Sequence, residues 1–109
     1  MTAAGRGELK SALSSAQRAA ALDPLSADTL ITESLILQQL GRNRDALDVL
    51  RRAQRLQPDD FEPYYQEGVL QLKAFGNRKA AIAALKQALA LNPLDALARQ
   101  ELEVALRRR

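Results

Sequence analysis

Apolar residues recur at spacings of three and four residues in three stretches of the chain, and each stretch ends at a proline. The prolines, Pro24, Pro58 and Pro93, lie 34 and 35 residues apart. From a leading glycine, the apolar residues follow at the same distances in all three copies: Gly7, Ala12, Ala16, Ala19 and Leu22; Gly41, Ala46, Leu50, Ala53 and Leu56; Gly76, Ala81, Leu85, Ala88 and Leu91. This spacing predicts one face of an α-helix, which the proline then ends. Each glycine is expected just past the end of an earlier helix, where a left-handed turn is needed.

The segments after Pro24 and Pro58 predict the other helix of a helical hairpin. Their apolar stripes have the same helical spacing: Leu30, Leu37 and Leu40 in one copy, and Tyr64, Gly68 and Leu72 in the next. Asp28 and Asp60 are candidates for N-caps or first-turn acids of these helices. The second copy has one extra residue between Gly68 and Gly76, which predicts a slightly longer helix or a local bulge there.

The pattern predicts an all-α fold of six helices, over roughly residues 6–21, 26–40, 43–56, 60–75, 78–91 and 94–107. β-branched residues are few, which disfavours strands. We expect a single domain, residues 1–109, built from a half repeat (6–24), two repeats (27–60 and 61–95, the second with the extra residue) and a terminal helix (96–107).

Composition removes most catalytic chemistry. The chain has no cysteine and no histidine, so thiol nucleophiles, disulfides, imidazole catalysis and most zinc sites are excluded. The nearest carboxylate cluster is Asp59, Asp60 and Glu62, and helix capping explains it. No apolar run reaches the roughly 18 residues of a membrane helix. We therefore predict no enzymatic activity, no cofactor, no metal and no membrane insertion by this segment.

The repeat resembles the tetratricopeptide repeat family. The matching residues are Tyr64, Gly68, Ala81, Leu85, Ala88 and Pro93 in one copy, and Leu30, Ser34, Leu37, Ala46, Leu50, Ala53 and Pro58 in the other. The resemblance covers about residues 6 to 107. It implies a right-handed superhelix of antiparallel helical hairpins and a protein–protein interaction scaffold.

The resemblance also implies a concave groove lined by the first helices of the repeats. Its residues would be Ile31, Leu35, Gln38 and Gln39 in one repeat and Tyr65, Val69, Leu72 and Lys73 in the next, with Gln100 and Val104 from the last helix. The groove is mostly apolar, which favours an amphipathic helix or apolar peptide of a partner over a chaperone carboxylate. Tyr65 is the predicted anchor residue, because aromatic side chains are enriched in interface hot spots.

Two acidic residues occupy places where the family usually has leucine. These are Glu33 and Glu67, and two arginines, Arg18 and Arg52, are likewise 34 residues apart on the preceding helices. One hypothesis pairs Glu33 with Arg18 and Glu67 with Arg52. The alternative is solvated carboxylates on an exposed face.

Three alternative functions remain open. The alanine-rich face of the first helix could mediate homodimerisation, or be an edge exposed by excision from a longer array; its residues are Leu9, Ala12, Leu13, Ala16 and Ala20. The turns around Pro24 and Pro93 resemble those in the C-terminal tails of O-antigen ligase-like membrane proteins, which implies a regulatory appendage. Nucleic-acid binding is disfavoured by a net charge of only +3. A soluble domain, in the cytoplasm or on a cell-envelope protein, fits each of these.

Overall fold

The computed structural model describes residues 3–107, which form six α-helices and no strand. The helices are α1 (Ala3–Leu22), α2 (Ala27–Gln39), α3 (Asn43–Leu56), α4 (Glu62–Lys73), α5 (Arg78–Leu91) and α6 (Ala96–Arg107). The predicted all-α class and number of helices are confirmed, and the predicted boundaries differ by no more than three residues. No helix in this part of the chain combines the length and the hydropathy that a membrane span requires.

The helices fall into two compact units, Met1–Leu56 and Gln57–Arg109. In the first unit α2 packs against α1 and α3, and in the second α5 packs against α4 and α6. Each unit is thus a helical hairpin with one further helix packed against it.

Each of the three prolines lies in a tight turn with the same hydrogen bond. The backbone N–H of the fourth turn residue donates to the carbonyl of the first, from Ser26 to Asp23, Asp60 to Gln57 and Asp95 to Asn92. Proline is therefore the second residue of every turn, where its fixed φ is favourable. The predicted role of the prolines as helix ends is confirmed.

In two of these turns the last residue, an aspartate, accepts a hydrogen bond from a backbone N–H at the start of the next helix. Asp60 Oδ1 accepts from the Glu62 N–H at 3.0 Å, and Asp95 Oδ1 accepts from the Leu97 N–H at 3.1 Å. Ser26, at the equivalent place, makes no such side-chain bond. Asp28 lies in the first turn of α2, where a negative charge favours the helix dipole. Asp28 is thus a first-turn acid as predicted, whereas Asp60 lies one residue before Phe61, the N-cap of α4, and accepts the first backbone N–H of the helix.

Two of the three repeat glycines end helices in the left-handed conformation. Gly41 has φ 79° and Gly76 has φ 63°. The Gly41 N–H donates to Gln38 and the next N–H, that of Arg42, donates to Leu37, as in a Schellman motif. The prediction for Gly7 is wrong, because α1 begins at Ala3 and Gly7 lies inside it. A residue inside a helix has no need of the left-handed conformation, and Gly7 is not among the glycines with positive φ.

The extra residue of the second hairpin is absorbed after α4 and not by lengthening it. The Phe75 N–H reaches back five residues to the Leu70 carbonyl at 3.3 Å. The Asn77 N–H then donates to the Gln71 carbonyl at 2.8 Å. α4 has 12 residues against 13 in α2. The extra residue therefore lies in the turn between α4 and Gly76, and neither the predicted longer helix nor a bulge within α4 forms.

Within each hairpin the two helices meet at the same repeat position, but the residue at this position differs between the hairpins. In the first unit Ser34 is fully buried, and its hydroxyl donates to the Ala46 carbonyl on α3 at 3.0 Å. In the second unit the equivalent residue is Gly68, and a Cβ there would lie 2.5 Å from Leu85 Cγ on α5. A small residue at this position lets the two helices of each hairpin approach closely.

Candidate partner-binding surfaces

A stripe of four residues on α2 faces solvent. Asp28, Thr32, Leu35 and Gln39 are all exposed, and their spacing of four, three and four places them on one side of the helix. Leu35 is 41% exposed. The Thr32 hydroxyl donates to the Asp28 carbonyl at 3.1 Å. The stripe thus begins with an acid in the first turn, Asp28, and has one apolar residue, Leu35, between the polar residues Thr32 and Gln39.

The stripe lies slightly off the groove that the sequence predicts on this helix. Leu35 and Gln39 are exposed as a groove requires, but Ile31 is only 7% exposed and packs inside the protein. Gln38 is half-buried, and its Nε2 donates to the Ser34 hydroxyl at 3.3 Å. Ile31 is therefore a core residue. Thr32 is the residue that sequence reasoning missed, although its spacing from Asp28 and Leu35 was visible.

The same four repeat positions recur on α4 as Glu62, Gln66, Val69 and Lys73. Lys73 is exposed and the other three are half-buried. The Gln66 side chain donates to Glu62 Oε1 at 3.0 Å. Val69 occupies the repeat position of Leu35, between polar residues, and is half-buried.

The predicted neighbours on α4 are more enclosed. Leu72 is 3% exposed and belongs to the core of the second unit, with Ala81, Leu85 and Ala105. Tyr65 is half-buried and packs against that same core. Partial burial raises the pKa of Tyr65 above its ordinary value, and the carboxylates of Glu101, Asp95 and Glu62 raise it further. Leu72 is thus a core residue, while Tyr65 keeps part of its ring accessible.

α6 lies beside α4 and extends the surface of the second unit. Lys73 Nζ lies 3.5 Å from Glu101 Oε1, which joins the two helices by an ion pair. On α6, Leu97 is 60% exposed and Val104 is half-buried. Gln100 is exposed. Leu97 was missed by the sequence reasoning, although it is the repeat equivalent of Glu62.

Part of the face of α1 that was predicted to mediate self-association is buried against α2 within the first unit. Leu13 and Ala16 are 7% and 8% exposed, and α1 packs against α2. Leu9 and Ala20 are half-buried, and Ala12 is exposed. Leu13 and Ala16 are core residues, and homodimerisation through this helix stays a prediction.

The predicted ion pair between Glu33 and Arg18 does not form in the structure. Arg18 is exposed, Glu33 is buried, and among residues 3–107 neither makes an ion pair or a hydrogen bond through its side chain. Glu33 is only 7% exposed, so it does not lie on an exposed face as the alternative expects. The second pair, Glu67 with Arg52, would join residues of the two units and stays a prediction.

The acidic residues near Pro58 are part of a helix start. Asp60 accepts from the Glu62 N–H, as described above, and Asp59 is exposed. Within residues 3–107 no group of three or more acidic side chains is arranged to hold a metal ion.

Comparison with known proteins defines the class. The family model of the tetratricopeptide repeat matches residues 27–60 and 61–93, ranges that begin where the two predicted repeats begin. Because the two matches cover more than half of the chain, the protein belongs to the tetratricopeptide repeat family. This confirms the resemblance seen in the sequence. The search of curated proteins gave no significant match.

Several solved structures share the fold. A crystal structure of the MamA protein has a TM-score of 0.76 and 27% identity; the alignment covers 93% of this chain and 55% of MamA. This chain thus spans about half the length of MamA. The first repeat domain of Spaghetti (RPAP3), bound to an HSP90 peptide, has a TM-score of 0.82 at 18% identity, covering 94% of this chain and 80% of that chain. PcrH, in complex with the chaperone binding region of PopD, has a TM-score of 0.77 at 20% identity, covering 92% and 80%.

Proposed function

We propose that this protein is an interaction scaffold whose two units each offer a contact surface to a peptide or helix of a partner protein: the stripe of α2 in the first unit, and the stripe of α4 with the adjoining α6 in the second. The observation that carries the proposal is the repeated stripe itself. Leu35 on α2 and Val69 on α4 hold the same repeat position, each between polar residues. Membership of a repeat family that generally serves protein interaction supports this reading.

The chemistry of the stripes favours an apolar or amphipathic partner segment. Leu35 and Leu97 expose 41% and 60% of their surface, and Tyr65 adds an aromatic edge next to Val69. Exposed apolar groups bordered by polar ones are typical of interaction sites. We infer that the partner contributes apolar side chains at helical or extended spacing, and not a carboxylate terminus.

We further propose that the chain has no catalytic activity of its own. The acids near Pro58 are explained by capping, and the sequence has no cysteine or histidine. The scaffold would act by bringing its partner to another protein or to a neighbouring segment of the same protein.

Site-specific photo-crosslinking tests the interaction. A photoreactive amino acid is placed at Leu35 and, in a matched control, at Asp48, which is exposed on α3. In extracts of the source cells we expect a discrete crosslinked partner at position 35 and not at 48. The partner is then titrated against Leu35→Asp, Val69→Asp and Asp48→Lys variants with unchanged helicity.

The two stripe variants should bind the partner at least about tenfold more weakly, since each removes buried apolar contacts and introduces an unpaired charge. Asp48→Lys should bind like the wild type. Equal crosslinking at both positions, or full affinity in the Leu35→Asp and Val69→Asp variants, would reject the stripes as the binding surface.

A further inference from the structure

The first unit contains a cavity of about 350 Å³ that is distinct from the stripe on α2. It lies between the last turn of α1 and the first half of α2, with one residue from α3 at its edge. Its polar lining residues are Gln17, Asp23, Ser26, Thr29, Glu33 and Arg52. Glu33 is five residues after Asp28, which places it roughly 140° around the helix from the stripe.

Glu33 is the unusual member of this lining. It is only 7% exposed, yet within residues 3–107 its side chain has no hydrogen bond or ion pair. Fully enclosed side-chain oxygens without a partner are absent from this part of the chain, so the carboxylate reaches the open space of the cavity. Carboxylates are seldom this deeply buried unless a cation or donors compensate them. A cation or hydrogen-bond donor can therefore reach the Glu33 carboxylate from the cavity.

The rest of the cavity also offers more negative than positive groups. Asp23 adds a second carboxylate, and Arg52 is the sole cation in the lining. Arg52 is exposed and makes no ion pair with Glu33. Ala20 and Ala21 belong to the last turn of α1, which has no basic residue. The C-terminal end of a helix favours a positive charge.

We propose that this cavity binds an arginine side chain of a partner protein, with the Glu33 carboxylate as its acceptor. A guanidinium presents a planar set of donors that matches a carboxylate in a two-point hydrogen bond. Leu22 and Leu25, next to the lining in sequence, are 87% and 72% exposed. They would receive apolar neighbours of that arginine, which favours a protein segment over a free metabolite.

This site goes beyond the proposed function, because none of its residues belongs to the stripes on α2, α4 and α6. Arginine at the cavity and an apolar segment on the stripes could come from one partner or two. Loss of one surface leaves the other intact, so each can be tested separately.

The test is a titration of the full chain followed by amide chemical shifts in NMR spectra. The probe is N-acetyl-arginine amide, and the matched control probe is N-acetyl-citrulline amide, which has nearly the same shape without the charge. We expect saturable shifts at Ala21, Thr29 and Glu33 with the arginine probe only. Agmatine carries the guanidinium without a peptide backbone. Comparing its binding with that of the arginine probe distinguishes an arginine of a protein from a free guanidinium metabolite.

Three variants locate the interaction. Glu33→Gln should weaken binding of the arginine probe at least tenfold, because it keeps the shape and removes the charge. Asp48→Asn, which removes the same charge from an exposed position on α3, should bind like the wild type. Arg52→Gln should bind as tightly as the wild type or more tightly, since it removes a like charge from the edge of the cavity.

Thermal unfolding separates a binding role of Glu33 from a structural one. If the carboxylate is held unpaired for a ligand, Glu33→Gln should unfold at the same temperature as the wild type or a higher one. A lower unfolding temperature would assign Glu33 a role in stability and overturn the proposal. Equal binding of the citrulline probe, unchanged affinity in Glu33→Gln, or binding of agmatine far tighter than of the arginine probe would also overturn it.

Discussion

At the scale of single residues, one repeat position shows how different side chains satisfy the same packing requirement. Ser34 places a hydroxyl between α2 and α3 and uses it to donate to the Ala46 carbonyl. Gly68, at the same position, has no side chain, and Leu85 fills the space. A buried hydroxyl needs a hydrogen-bond partner, whereas glycine needs none. The facing residues are of the same type in both hairpins, Ala46 and Leu50 in one and Ala81 and Leu85 in the other, so two different small residues fit the same close approach.

This contact predicts opposite effects for two glycine-to-alanine substitutions. Gly68→Ala should lower the free energy of unfolding by about 1–3 kcal/mol, because the new methyl group overlaps Leu85. Gly7→Ala, inside α1 with nothing within 4 Å of an added Cβ, should raise it by roughly 0.5–1 kcal/mol through better helix propensity. Urea denaturation of both variants checks this. Equal stabilities of Gly68→Ala and the wild type would contradict the close packing described.

The raised pKa of Tyr65 predicts a loss of stability in alkaline solution. In the unfolded chain the phenol ionises near its ordinary pKa of about 10, while the folded protein keeps the proton to higher pH. The folded state therefore holds more protons in this range, and the free energy of unfolding falls as pH rises above about 10. Urea denaturation as a function of pH should show a shallower decline for Tyr65→Phe. Parallel pH curves of variant and wild type would count against the enclosure of this hydroxyl.

At the scale of elements, the turns explain why the helix ends could be predicted so closely. Each proline is the second residue of a turn whose first and fourth residues share a hydrogen bond. The preference of proline for this position depends only on neighbouring residues, so it can be recognised in the sequence. Gly41 and Gly76 likewise adopt positive φ. Gly7 shares their place in the repeat but not their role, because a glycine can also be accommodated inside a helix.

Arg78, at the start of α5, holds the end of α6. Its Nε donates to the Ala105 carbonyl at 2.8 Å and its Nη2 to the Leu106 carbonyl at 3.3 Å. Carbonyls in the last turn of a helix have no partner within the helix. The contact therefore links two elements 27 residues apart in the chain, and spacing alone did not reveal it.

Removing this contact should loosen the end of α6. We expect Arg78→Ala to speed amide hydrogen exchange in the last turn of α6 and to lower stability by about 1 kcal/mol, the usual contribution of a hydrogen bond. Lys79→Ala, at the adjacent exposed position, is the control and should exchange like the wild type. If both variants exchange alike, the arginine contact has no role in holding the helix end.

At the scale of the whole molecule, family and function follow from different parts of the sequence. The residues that identify the repeat are buried or form turns, such as Ala46, Leu50, Ala81 and Leu85, each 0% exposed. The candidate contact residues are less buried and vary between the two repeats, since Leu35 is exposed and its equivalent Val69 is half-buried. The family match thus defines a scaffold, and the partner is a matter of its surface.

The candidate binding residues were only partly predictable, for a geometric reason. An error of one residue turns a helix position by about 100°, which separates exposed Thr32 from buried Ile31. Leu72, which the sequence placed in the groove, lies in α4 before the turn that takes up the extra residue, and it belongs to the core of the second unit. Repeat spacing therefore identifies which helix carries the candidate binding surface, but it is less reliable in identifying which side chains of that helix are exposed.

By itself the sequence determined six helices, their ends and their repeat, because helical periodicity, proline turns and glycine ends are properties of neighbouring residues. Tertiary structure alone decided which apolar residues stay accessible, that Leu13 and Ala16 are covered, and that Arg78 holds the end of α6. It also placed Glu33 beside a cavity, with no ion pair to Arg18, where the sequence left open an ion pair with Arg18 or a solvated carboxylate on an exposed face. Burial and pairing depend on residues distant in the chain, and their distances exist only once the helices have packed.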